Sequence, residues 1–172
     1  MPDLTLFTLD HAAAESLAGD PAAFAARHAL GLAPHEPTAV AIAAATARLL
    51  TAGGATTPWV GYLALEGPMR RVVGTCGFKG GPDADGAVEI AYFTFPGEEG
   101  RGVAAAMAEA LVGMASASGP EVAVVRAHTL PERNASCRVL EKVGFHHAGD
   151  VIDPEDGPVW RWELPIQDGS RA

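Results

Sequence analysis

What this sequence has little of narrows its function first. Cysteine occurs only as Cys76 and Cys137, with no metal-ligand spacing and too few thiols for a disulfide framework. Aromatic residues make up 6% of the chain, so small Ala and Gly side chains must supply much of the close packing. Lys and Arg number 12 against 21 Asp and Glu, a net charge of −9. Without clustered cations, nucleic acid is not the expected main partner. The acidic balance is compatible with an amine-bearing substrate, and it is also an ordinary way of keeping a surface soluble. No run approaches the ~20 apolar residues of a membrane span. Met1 to Asp10 lacks a basic stretch followed by an apolar one, so no secretory leader and no membrane partner are expected. The expected location is the reducing cytoplasm.

What is present reads as a globular protein, with 48% hydrophobic and 19% charged residues. At 172 residues, one domain over 1–172 is expected, ordered to about 166, with 167–172 as a flexible tail. Leu4 to Thr8 alternates as an opening strand. Asp10 can cap a short helix through Leu17, and Asp20-Pro21 starts another running to Leu30 and stopping at Gly31. A third helix begins near Pro37, with Val40, Ala44, Ala47 and Leu50 on one face, and ends at Gly53-Gly54.

Trp59 to Leu65, Arg71 to Phe78 and Ala87 to Phe95 then read as strands with short, glycine-rich connections that favour antiparallel pairing. Val103, Met107, Leu111 and Met114 mark a helix stripe. Glu121 to Ala127 is a strand covered on both faces, and Asn134 to Val143 a helix ended by Gly144. Phe145 to Ile152 and Val159 to Leu164 form a closing pair of strands. The fold class expected is mixed α/β (α+β), with a parallel step where the central helix joins two strands.

The most informative stretch runs from Phe95 through Gly97, Glu99, Gly100, Arg101 and Gly102 to Ala104: a strand ends, a glycine turn follows, and a helix begins. Unpaired amides at a helix start carry the positive end of its dipole, and small residues let a phosphate approach them. A turn with purely geometric duties has the same look. Two phosphate loops are excluded. No Gly-Lys-Ser/Thr ending follows, and Ala105 stands where a dinucleotide fingerprint needs its third Gly.

Three stretches together carry a family resemblance: Glu89 to Pro96 continuing into Gly100-Arg101-Gly102-Val103-Ala104, Leu130 to Ser136, and Arg138 to Phe145. In this order the sequence resembles the GNAT superfamily, in its ribosomal-protein and small-amine N-acetyltransferase branch. The resemblance implies a splayed sheet of about seven strands and acetyl-CoA as co-substrate. It implies that the backbone of Phe93, Thr94 and Phe95 pairs with the pantetheine arm. The amides of Gly100, Arg101, Gly102, Val103 and Ala104 would hold the pyrophosphate, and Asn134 and Ser136 would face the arm and the thioester. Glu99 stands where the family often has Arg or Gln, so its carboxylate should oppose the pyrophosphate, with Arg101 compensating.

Acyl transfer to an amine needs a neutral amine, a polarised carbonyl and a proton for the departing thiolate. The tyrosine that many members place four residues before the Gly-Phe pair is replaced by Leu140. Ser136, one helical turn earlier, is the candidate donor by the family's pattern; its alternative is a helix-start Ser bonded to backbone. Candidate bases are Glu89, where the family commonly has an acidic residue acting through water, and His128, whose imidazole suits proton transfer near neutral pH. Each has a structural alternative, a solvated strand residue and a packed histidine. Adjacent His146 and His147 point to opposite faces of a strand, which argues against a metal. Trp59, Trp160 and Trp162 read as packing, and Glu155 and Asp156 as a solvated turn that could also attract a cation. The expected function is acetyl-CoA-dependent transfer to an amine, a small molecule or a protein N-terminus, by a monomer or homodimer. The rivals are a non-catalytic acyl-CoA sensor and an interaction module whose glycine loop is only a turn.

Overall fold

The structure, a computed structural model, describes residues 2–166. The tail expected at 167–172 lies outside them. Five helices and seven strands follow in the order β1 (Leu4–Leu9), α1 (His11–Gly19), α2 (Pro21–His28), α3 (Glu36–Gly53), β2 (Gly61–Glu66), β3 (Arg71–Phe78), β4 (Ala87–Thr94), α4 (Val103–Ala117), β5 (Val124–Thr129), α5 (Ala135–Val143), β6 (His146–Asp153) and β7 (Gly157–Pro165) among the described residues. They build one seven-stranded mixed sheet in the order β1-β2-β3-β4-β5-β7-β6.

Local chemistry sets most element ends. Asp10 and Asp20 cap α1 and α2 by accepting from the Ala13 and Ala23 amides at 2.8 and 2.9 Å. α2 stops at His28, earlier than the Leu30 that the sequence suggests. Ala29 turns left-handed at φ 52°, and the Leu30 amide bonds back to the Ala25 carbonyl at 2.9 Å. Gly31 has a different task. It exchanges hydrogen bonds with the backbone of Arg70 and Val72, and a Cβ there would lie 3.4 Å from the Arg71 Cα. α3 buries Ala39 and Ala43 rather than the Val40–Ala44 line expected for its inner face, because these small residues meet the neighbouring elements. Trp59 lies before β2, in a turn, with its ring edge-on to Phe78. β5 begins at Val124, not Glu121, since the Ala123 amide turns to the Gly86 carbonyl at 2.7 Å.

Strand alternation feeds two cores. On one face Tyr62, Ala64, Val73, Val88 and Ile90 pack against Met107 and Leu111 of α4 and Leu140 of α5. On the other, Leu63, Leu65, Val72 and Phe95 pack against Leu17, Phe24 and Ala43. The decisive feature lies between β4 and β5. They pair in parallel only through Ala87↔Val124, Val88↔Val125 and Glu89↔Arg126. Beyond Glu89, β4 continues to Thr94 paired with β3 alone, and the sheet splays open. Among the described residues, no helix is long and apolar enough to cross a membrane.

Candidate active site

The splay leaves the β5-facing backbone edge of Ile90 to Thr94 without a partner strand. Buried backbone donors and acceptors require partners, so such an edge is a template for an extended ligand. A cavity of about 370 Å³ opens here, lined among others by Glu89, Tyr92, His128, Ser136, Asp156 and Val159.

Glu89 and His128 meet at the point of the splay. The register sets Glu89 opposite Arg126, and His128 lies two positions further along the same face of β5. The His128 Nδ1 lies 3.0 Å from Glu89 Oε1, and the Lys79 ammonium donates to the same oxygen at 2.7 Å. An ionised carboxylate only accepts, so Nδ1 carries the proton and the neutral ring keeps its lone pair on Nε2. That Nε2 is shielded from solvent and has no hydrogen-bond partner among the described residues. Glu89 thus fixes the ring and leaves one acceptor nitrogen unused.

At the far end of β4 the chain turns through Gly100 and Gly102, at φ 74° and 84°, conformations costly for any residue with a Cβ. Gly102 precedes α4 without a side-chain cap, and the Ala106 amide is the first to bond back to it, at 3.0 Å. The amides before it are therefore available to an anion. The turn is pinned from below by Glu98, which is only 6% exposed. Glu98 accepts from both Arg71 and Arg101 and faces His35 Nε2 at 3.3 Å. The Arg71 guanidinium above all, against the cost of burial, pulls its carboxyl down to about 2. Arg101 also donates to Glu66 at 2.7 and 2.8 Å. Its guanidinium is thus engaged with the scaffold, leaving its backbone in the turn. Glu99 accepts from the Gly97 amide at 2.6 Å and so shapes the turn as well.

α5 opens beneath the splay. Asn134 is its cap, with Oδ1 accepting from the Cys137 amide at 3.1 Å. Ser136 therefore does not cap the helix, and its hydroxyl makes no hydrogen bond among the described residues. Leu140 is fully buried, so its position belongs to the core. Tyr92, not singled out by the sequence, lines the cavity with its hydroxyl 3.5 Å from the Ser136 carbonyl. Burial pushes its phenol up to about 12, which keeps it a donor at any ordinary pH. Its signal was strand alternation: β4 turns every second residue toward α4 and α5. Phe93 is half-exposed beside the open edge, while Phe95 is buried, and the Thr94 hydroxyl is buried without a partner among the described residues. Trp160 and Trp162 pack against His147 away from this cleft, at ring separations of 5.1 and 5.5 Å. Among the described residues no group of three or more His, Cys, Asp or Glu side chains is placed to hold a metal ion.

A splayed mixed sheet with a glycine turn and free helix amides at its mouth defines a class of acyl-CoA-dependent transferases. Residues 3–146 match the family model of the acetyltransferase (GNAT) domain, and the chain belongs to this family of acyltransferases. Solved structures share the fold at low identity. RimL, a ribosomal-protein alpha-N-acetyltransferase in complex with coenzyme A, is 16% identical over 95% of this chain and 94% of its own, with a TM-score of 0.64. A spermidine N-acetyltransferase chimera of Vibrio cholerae SpeG and hSSAT is 13% identical over 95% of both chains, with a TM-score of 0.65. The aminoglycoside acetyltransferase AAC(6')-Ib in complex with coenzyme A is 18% identical over 95% of both, with a TM-score of 0.61. No curated protein sequence matches the chain.

Proposed function

We propose that this protein transfers an acetyl group from acetyl-CoA to a primary amine by direct attack within a ternary complex. The observation that carries this reading is the His128 ring, oriented by Glu89 at 3.0 Å and keeping an unpartnered Nε2 where the sheet opens. The open β4 edge from Ile90 to Thr94 suits the amides of a pantetheine arm. The amides from Gly100 to Ala104 suit its pyrophosphate.

In the reaction, the amine nitrogen bonds to the thioester carbonyl carbon and the carbon–sulfur bond breaks. His128 Nε2 takes the proton that the nitrogen must lose, directly or through one water. Glu89 stabilises the imidazolium so formed. The Ser136 hydroxyl, free of other duties, donates to the departing sulfur, with Tyr92 beside it as a second donor. Both cysteines are buried, and burial pushes the Cys76 thiol up to about 12, so a covalent acetyl-enzyme on that residue is disfavoured. Buried free thiols also fit a cytoplasmic setting.

Steady-state rates with acetyl-CoA and a panel of amines test the proposal. Intersecting initial-rate lines and acetylated product are expected. Parallel lines would point to a covalent intermediate, and tight coenzyme binding with no product from any amine would favour a sensor.

A further inference from the structure

The sheet face that carries Glu89 and His128 also carries cations, and one differs from the rest. Arg126 donates to Glu163 at 2.8 Å and to Asp83 at 3.1 Å, and Lys79 to Glu89 at 2.7 Å. Arg161 enters no ion pair among the described residues, and its Nε is shielded from solvent with no hydrogen-bond partner among them. Desolvating part of a guanidinium without compensation is costly, and it is relieved when an anion arrives.

Its place in the fold says where that anion would sit. Arg161 stands directly opposite His128 in the antiparallel β5–β7 register, and directly opposed residues project to one face. On its other flank it faces Gly149 of β6, a residue with no side chain and open space where a Cβ would be. Val159, two positions along the same face of β7, lines the cavity together with Asp156. Arg161 therefore stands between His128 and Val159, two residues of the cavity lining, with no side chain from Gly149 to cover it.

We propose that Arg161 holds a carboxylate of the acceptor, which makes the acceptor a primary amine with a carboxylate close by. A free amino acid supplies this chemistry through its own α-carboxylate, and a peptide beginning with Asp or Glu supplies it through a side chain. The planar fork of guanidinium matches a carboxylate in two parallel hydrogen bonds. Asp156 and Glu89 attract the ammonium end of the same molecule, whereas a polyamine would set a second cation against Arg161. The cavity of about 370 Å³ lies toward the small end of ligand sites and suits an acceptor of amino-acid size. This inference rests on the N-acetyltransferase reading above.

The test compares each acceptor with its charge-neutral counterpart: amino acids against their amides, and tripeptides beginning with Asp against those beginning with Asn. Wild type, Arg161→Met and Arg161→Lys are measured with acetyl-CoA. Wild type is expected to prefer the carboxylate member of one series by about 10- to 100-fold in kcat/KM, mainly through KM. Arg161→Met, which keeps an apolar stem and so the packing, should abolish the preference while still acetylating the neutral members. Arg161→Lys should restore part of it. The series that shows the preference identifies the source of the carboxylate. Acetylation of neutral amines as readily as of carboxylates by wild type, or a preference that survives Arg161→Met, overturns the inference and leaves the proposed function standing. Acetyl-CoA binding with no product from any amine overturns both.

Discussion

Glu89 and Glu98 bracket the open edge of β4, one where the strand parts from β5 and the other just past its end, and they are bound in opposite ways. Glu98 is closed on all sides, with Arg71, Arg101 and His35 converging on a side chain that is 8% exposed. Glu89, 24% exposed, holds Lys79 and His128, but the histidine keeps a shielded Nε2 without a partner among the described residues. A saturated network fixes geometry and has nothing left to offer a substrate. A network with one unused position is where a proton can go. The same residue type thus serves as scaffold at one end of the strand and, in the proposed mechanism, as orienting partner of a base at the other.

The sharpest way to break this contrast is at the base. His128→Gln should lower kcat/KM by about 10²–10⁴-fold, the usual worth of general base catalysis, with acetyl-CoA affinity unchanged by calorimetric titration. Ser136→Ala should cost turnover about 10²-fold or less, again at unchanged coenzyme affinity, because a thiolate leaves without much help. Tyr92→Phe should cost less than Ser136→Ala in the same assay, and the reverse order would make the tyrosine the principal donor.

At the scaffold end the effects move from rate to stability and coenzyme binding. Glu98→Gln leaves Glu66 as the one carboxylate paired with Arg71 among the described residues, so unfolding in denaturant should come about 1–3 kcal/mol easier, with coenzyme affinity falling several-fold. Because Glu98 titrates at about 2 rather than the ordinary 4.5, its ionisation contributes stability that is fully present above pH 4.5. That contribution is lost as the pH falls toward about 2. Denaturant midpoints measured across this range should fall in wild type, and that part of the slope should be missing in Glu98→Gln. The smallest effect belongs to Glu99. A Gln can still accept from the Gly97 amide while removing a charge near the anion site, so Glu99→Gln should tighten coenzyme binding by about 0.5 kcal/mol at low salt.

Much of the scaffold is legible from the sequence because its signals are local. Asp10 and Asp20 cap the helices they precede, and the Gly100–Gly102 turn announces the start of α4. The family resemblance of the C-terminal half agrees with the splay seen between β4 and β5. What the sequence does not reveal depends on distant partners. Nothing local to Glu98 indicates that Arg71 and His35 will close over it. Arg101, equally, looks available until Glu66 is brought beside it. Glu89 and His128 stand out individually, but their 3.0 Å contact exists only because parallel pairing ends where it does. Strand alternation decides the face that Tyr92 occupies but not what waits there, so its place in the cavity is not legible locally.

The most direct test of the account is the pH dependence of kcat/KM for wild type and His128→Gln, using an acceptor whose amine stays unprotonated throughout the range. The acid limb then belongs to the enzyme and not to the substrate. Wild type should show a single acid limb that disappears in His128→Gln, leaving a flat profile about 10²-fold or more below the wild-type plateau. A variant that keeps both the limb and the plateau would contradict the assignment of His128 as the base.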